Sequence, residues 1–214
     1  MPSLKEAMQF PFTDKYWARR LLIGGILLPI PIIGFFPMGY LMRHFLAYLK
    51  GHKVDKLPEW DDLPAILSYG FFGTIILLGY LLVPFLILAL GIKVWGSFWG
   101  VLFVFLSFII GVWLMSYFPM GLAAYLVSGK LGNAFQKNVL YKNISQISTS
   151  YYHSFLIAIL LLFLAGNSPF VLFFLLLVFG EMFGKTISPV FTPPETEVEA
   201  TEEKEEEAPA AEEE

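Results

Sequence analysis

The sequence predicts an all-α, polytopic integral membrane protein: a helical bundle, arranged as three helical hairpins with interfacial amphipathic helices. Five to six membrane helices are expected, some short or re-entrant. Three observations predict this class. Four stretches carry no charged side chain, Leu21–Met42, Leu63–Ile92, Val94–Gly129 and Asn143–Gly180, of 22, 30, 36 and 38 residues; about 20 apolar residues cross a bilayer as a helix. The 214-residue chain is 57% hydrophobic and 17% aromatic, and its mean hydropathy is positive, which sets it in the membrane class. The basic residues gather between the stretches, as they do in the cytoplasmic loops of membrane proteins.

Residues 1–20 form an N-terminal interfacial segment, with Phe10, Phe12, Tyr16 and Trp17 beside Lys15, Arg19 and Arg20. Both flanks of the first stretch are basic, so a hairpin turning at Pro29-Ile30-Pro31 keeps both flanks on one side of the membrane. Proline removes a helical hydrogen bond and clashes with the preceding turn, which makes this the place to reverse. Residues 43–64 form a cytoplasmic loop. A helix over about Ala65 to Leu90 then leads to the connector Gly91–Gly96, and a second helix returns from about Ser97 to Val127. Trp95 and Trp99 stand at the connector, where aromatic belts anchor helix ends. Residues 130–148 place Leu131, Ala134, Phe135, Val139, Leu140, Ile144 and Ile147 at a spacing that makes one apolar helical face, with Lys137, Lys142 and Gln146 among the polar positions. Such a helix lies in the headgroup plane. The last stretch starts near Tyr151, breaks at Gly166-Asn167-Ser168-Pro169 and ends at Lys185, closing the membrane domain 21–185.

Residues 186–214 form an acidic tail expected to be disordered. From Thr192 onward it holds eleven Glu and one Lys, and it has little apolar surface to bury. There is no cysteine, so disulfides and thiolate chemistry are excluded. The first apolar run lacks a small-residue cleavage site and reads as a retained segment.

Phe36-Pro37-Met38-Gly39 recurs as Phe118-Pro119-Met120-Gly121. Pro37 and Pro119 are expected to loosen their helices, while Gly39 and Gly121 let a neighbouring backbone approach. Glu59, Asp61 and Asp62 precede a membrane helix. They suit capping of its free N–H groups, with Pro64 in the first turn, or a gate for cations. Glu181 is an ionisable residue in a membrane segment and therefore a functional candidate. Lys185, four residues on, offers it a structural ion pair. His153, at the far end of the same hairpin, is a candidate proton relay.

The opening Ala7-Met8-Gln9-Phe10-Pro11-Phe12 with Asp14, Lys15 and Trp17 precedes Leu21-Leu22-Ile23-Gly24-Gly25. Gly39-Tyr40 and Leu57-Pro58-Glu59-Trp60-Asp61-Asp62-Leu63 follow in order. Over Ser3 to Lys185 this resembles the prokaryotic domain-of-unknown-function 4013 family. The resemblance implies a bacterial or archaeal multi-pass membrane protein and carries no established reaction.

No nucleotide-binding glycine loop, His-Glu-x-x-His sequence or serine nucleophile elbow is present. No enzymatic activity, cofactor, metal or nucleic-acid partner is expected. The expected partners are the bilayer, anionic lipids included, and a membrane-protein partner or a second copy. The expected role is a non-catalytic accessory, scaffold or bilayer-organising component of the cell membrane, with both termini cytoplasmic. The alternative is a small transporter or channel built on the Pro/Gly-broken helices.

Overall fold

A computed structural model describes residues 4–52, 54–164 and 168–192. Among these the chain is all helix and turn, with no strand. The α-helices are α1 (Leu4–Gln9), α2 (Trp17–Leu27), α3 (Phe35–Leu49), α4 (Leu63–Lys93), α5 (Phe98–Met115), α6 (Phe118–Ser128), α7 (Lys137–Gln146), α8 (Ser148–Leu164) and α9 (Pro169–Phe191). Single 3-10 turns cover Phe10–Thr13 and Leu131–Phe135.

Helix α9 is the axis of the packing. The N-terminal segment runs down it antiparallel: Ala7 clusters with Val178 and Met182, Phe12 meets Phe174, and Gly24 and Gly25 lie under Phe173 and Phe170. The chain reverses through residues 28–34, where the Gly34 N–H donates to the Ile30 carbonyl at 2.7 Å. Helix α3 then runs back parallel to α9. Tyr40 meets Phe173, His44 lies against Gly180 and Tyr48 against Gly184. The hairpin expected at Pro29-Ile30-Pro31 is thus present. Ahead of its first arm, α1 and Phe10 pack onto α9 and α3. Met8, Phe12, Tyr16 and Trp17 of the segment stay exposed.

The two long uncharged stretches form an antiparallel pair. Helix α4 covers 31 residues, and α5 with α6 make one 31-residue apolar span interrupted at Ser116-Tyr117. Along the pair Gly91 faces Gly100 and Phe103, Ser107 donates to the Pro84 carbonyl at 2.8 Å, and Phe72 meets Tyr125. The base of this hairpin is in the core with Met42, Ile76 and Tyr80. Its outer part packs only on itself, leaving Leu82, Phe85, Phe105 and Phe108 exposed. The turn at the tip uses Gly96 at φ +91°, a region open to glycine.

Three helices are long and apolar enough to cross a membrane, Leu63–Lys93, Phe98–Ser128 and Pro169–Phe191; α7 and α8, which meet at a 101° bend, make up to four. Helices α2 and α3, of 11 and 15 residues, are too short to cross alone at about 1.5 Å per residue. In the expected interfacial segment, Ala134, Leu140 and Ile144 are buried. Helix α9 continues past its expected end at Lys185 to Phe191, because Thr186 and Ile187 are themselves buried. Gly166 and Asn167 of the expected last turn, and the acidic tail beyond Thr192, lie outside the described residues.

Candidate functional site

The most deeply buried charge stands where α3 and α9 touch. Glu181 is 1% exposed. A carboxylate taken out of water is costly unless its charge and lone pairs are satisfied, and three side chains surround this one. Lys185 Nζ lies 2.6 Å from Oε1, one helical turn on, as the i,i+4 spacing led us to expect. The Tyr48 hydroxyl donates to Oε2. His44 Nε2 stands 3.7 Å from the same oxygen. His44 is fully buried, and neither ring nitrogen has a hydrogen-bond partner. Its ring stacks on Phe10 at 5.2 Å. Glycines on α9 make the cluster sterically feasible: a Cβ on Gly180 would meet the His44 ring at 3.3 Å, and one on Gly184 would meet Tyr48 at 2.6 Å.

A second polar cluster ties the N-terminal segment to the loop before α4. Asp14 is 3% exposed and pairs with Arg20 at 2.7 Å. Its other oxygen accepts from the Tyr16 N–H at 2.7 Å. Arg20 also donates to the Leu57 carbonyl and lies 3.6 Å from Glu59. Tyr40 reaches the same loop, donating to the Pro58 carbonyl at 2.8 Å and stacking on Trp60 at 4.3 Å. The Leu57–Asp62 segment is therefore a clasp across α2 and α3.

The three acids of that segment go to three different places. Glu59 is exposed beside Arg20. Asp61 pairs with Arg43, whose hydrogen bond holds the Asp61 carboxyl below the usual carboxylate range. Asp62 caps α4, accepting from the Ala65 N–H at 3.4 Å, with Pro64 in the first turn. Among the described residues, no three His, Asp or Glu side chains converge as metal ligands would. His153 is exposed on α8, and no hydrogen bond or ion pair joins it to Glu181.

Both copies of the Phe-Pro-Met-Gly repeat open helices. Pro37 and Pro119 lie in the first turns of α3 and α6. In each copy the glycine permits a close approach. A Cβ on Gly39 would overlap the Ile66 carbonyl, and one on Gly121 would stand 2.6 Å from the Ala134 carbonyl. At the second copy the helical ladder is broken, and Tyr151 repairs it. Its hydroxyl donates to the Ser116 carbonyl at 2.7 Å and accepts from the Met120 N–H at 3.3 Å. These two backbone groups, four residues apart, would bond each other in an unbroken α-helix.

Sequence reading took Arg20 as a marker of topology and did not single out Asp14, His44, Tyr48 or Tyr151 as site residues. The partners of Tyr48 and Tyr151 lie 133 and 35 residues away, beyond any local spacing rule.

Long apolar helices around a small polar interior define the class: an all-α protein with three helices long and apolar enough to cross a membrane. The chain belongs to a family of proteins of unknown function, DUF4013, whose model matches residues 22–180. Comparison with curated proteins and with solved structures finds no match.

Proposed function

We propose that this protein is a non-catalytic scaffold or accessory component of a bacterial or archaeal cell membrane, holding an apolar α4–α5 hairpin in the bilayer on a rigid base. The observation that carries this reading is how the buried polar groups are used. Asp14, Arg20, Tyr40, Tyr48, Tyr80, Tyr151 and Glu181 each contact another part of the same chain, and among the described residues no acid–base pair is assembled with a nucleophile. Outside the base, the hairpin offers lipid or a partner an apolar surface. The basic flanks favour cytoplasmic termini, and α7, bent away from α8 with Lys137 and Lys142, suits the headgroup plane over anionic lipid.

A small transporter is the second reading. It is favoured by His44, whose buried and unpartnered nitrogens stand beside the Glu181 carboxylate. Native mass spectrometry of the full chain, extracted from its own membrane in mild detergent, separates the two. A defined heteromeric mass is expected. A lone monomer or homo-oligomer whose reconstituted proton or cation flux disappears in Glu181→Gln would replace the scaffold by the transporter.

A further inference from the structure

The C-terminal ends of α3 and α9 meet at one corner of the molecule. A Cβ on Gly51, just past α3, would touch the Thr192 methyl at 3.2 Å. Beside it opens a groove of about 440 Å³ lined by Arg43, His52, Asp55 and Lys56 over Val54 and Pro58. Arg43 is committed to Asp61. Lys56, His52 and the neighbouring exposed Lys50 have no ion pair among the described residues, and Asp55 is the single acid of the rim. With Lys50 and Lys56 against Asp55, the corner carries an excess of positive charge.

The anions lie further along the same chain. Residues 193–214 hold eleven Glu and one Lys, and they leave the fold at Thr192, beside the groove. Glu195, Glu197 and Glu199 follow within seven residues, and extended chain spans about 3.3 Å per residue. A tether this short makes the encounter intramolecular, at an effective concentration on the order of millimolar.

We propose that this groove is the docking surface of the chain's own acidic C-terminal segment, with Glu195, Glu197 and Glu199 set against Lys50, His52 and Lys56. Docking neutralises the basic corner and screens it from anionic lipid headgroups, which the same cations would otherwise attract. The contact is electrostatic and open to water, so salt weakens it: the Debye length falls from about 8 Å at physiological ionic strength to about 3 Å at 1 M.

The absence of native cysteine allows a direct test. The full chain carrying His52→Cys and Glu197→Cys is placed in nanodiscs of phosphatidylcholine and oxidised gently. The tether alone brings the two positions near each other, so the deciding readouts are charge and salt. Disulfide formation is expected to slow by about tenfold in 1 M NaCl, as docking is lost to screening, and equally in a variant with Glu195→Gln and Glu199→Gln. Rates unchanged by both treatments would overturn the proposal. A second arm compares the full chain with one ending at Thr192, both held in phosphatidylcholine nanodiscs, for capture by phosphatidylserine vesicles. Tighter binding of the shortened chain is expected. Equal binding, abolished in both by Lys56→Gln, would assign the groove to lipid headgroups and likewise overturn it.

Discussion

The α9-centred base and the outer α4–α5 hairpin are made of similar apolar residues and are held in different ways. In the base, 61% of the most apolar window of α9 is buried, against 22% for α4 and 11% for α5–α6. The base is fixed by contacts that only certain residues can make: the Asp14–Arg20 pair, the Tyr151 bridge, and the crossing where Gly39 and Gly70 bring backbones together. The outer hairpin has length and hydrophobicity instead, with one cross-strut from Ser107 to the Pro84 carbonyl. In water such a surface would aggregate. In lipid it needs no further partner, since a helix satisfies nearly all of its backbone groups internally. Substitutions should therefore be severe in the base and mild on the hairpin.

The largest effect is expected at the crossing. Gly39→Val places a side chain on the Ile66 carbonyl, where no rotamer relieves the overlap. Overpacking typically costs about 1–3 kcal/mol where side chains can yield, and here the obstacle is backbone. Loss of the folded monomer peak in size-exclusion chromatography is expected, while Gly132→Ala, with nothing within 4 Å, elutes as the native chain. Arg20→Met comes next, because it leaves Asp14 buried and unpaired, at about 3–5 kcal/mol. Thermal unfolding in detergent should show the loss, and adding Asp14→Asn should recover part of it. Tyr151→Phe orphans the Ser116 carbonyl and the Met120 N–H, for about 1–3 kcal/mol. Faster amide exchange confined to residues near 116–121 checks that prediction. Phe105→Leu, on the outer hairpin, should shift stability by no more than about 0.5 kcal/mol. A Phe105→Leu effect as large as that of Arg20→Met would erase the contrast between the two regions.

The contrast also explains what could be read from the sequence. The hairpin was legible because its information is local: uncharged runs long enough to cross a bilayer, a glycine-bounded connector, and Trp95 and Trp99 at the tip. The same holds for the reversal at Pro29-Ile30-Pro31, the cap at Asp62 and the Glu181–Lys185 turn, each set by residues a few positions apart. The base was legible only in outline. Arg20 looks like any basic residue flanking a membrane segment until the Leu57 carbonyl, 37 residues on, is brought to it. Lys185 looked like the end of a membrane helix, but the next turn buries Thr186 and Ile187. His44 follows Arg43 in the sequence like one more polar residue at a helix end, whereas in the fold Phe10 and Gly180 enclose it. Long-range polar contacts leave no periodic trace, so the candidate site built from them was found only in part, through Glu181.

The central claim is that the α4–α5 hairpin faces lipid while the base is closed upon itself. Nitroxide labels at single cysteines replacing Leu86, Phe105, Ile66 and Met182, in the otherwise cysteine-free chain reconstituted in bilayers, test it most directly. At Leu86 and Phe105 the account predicts frequent collisions with oxygen and rare ones with a water-soluble nickel chelate. At Ile66 and Met182 it predicts few collisions with either. Ready access of the nickel chelate to Leu86 and Phe105 would contradict it.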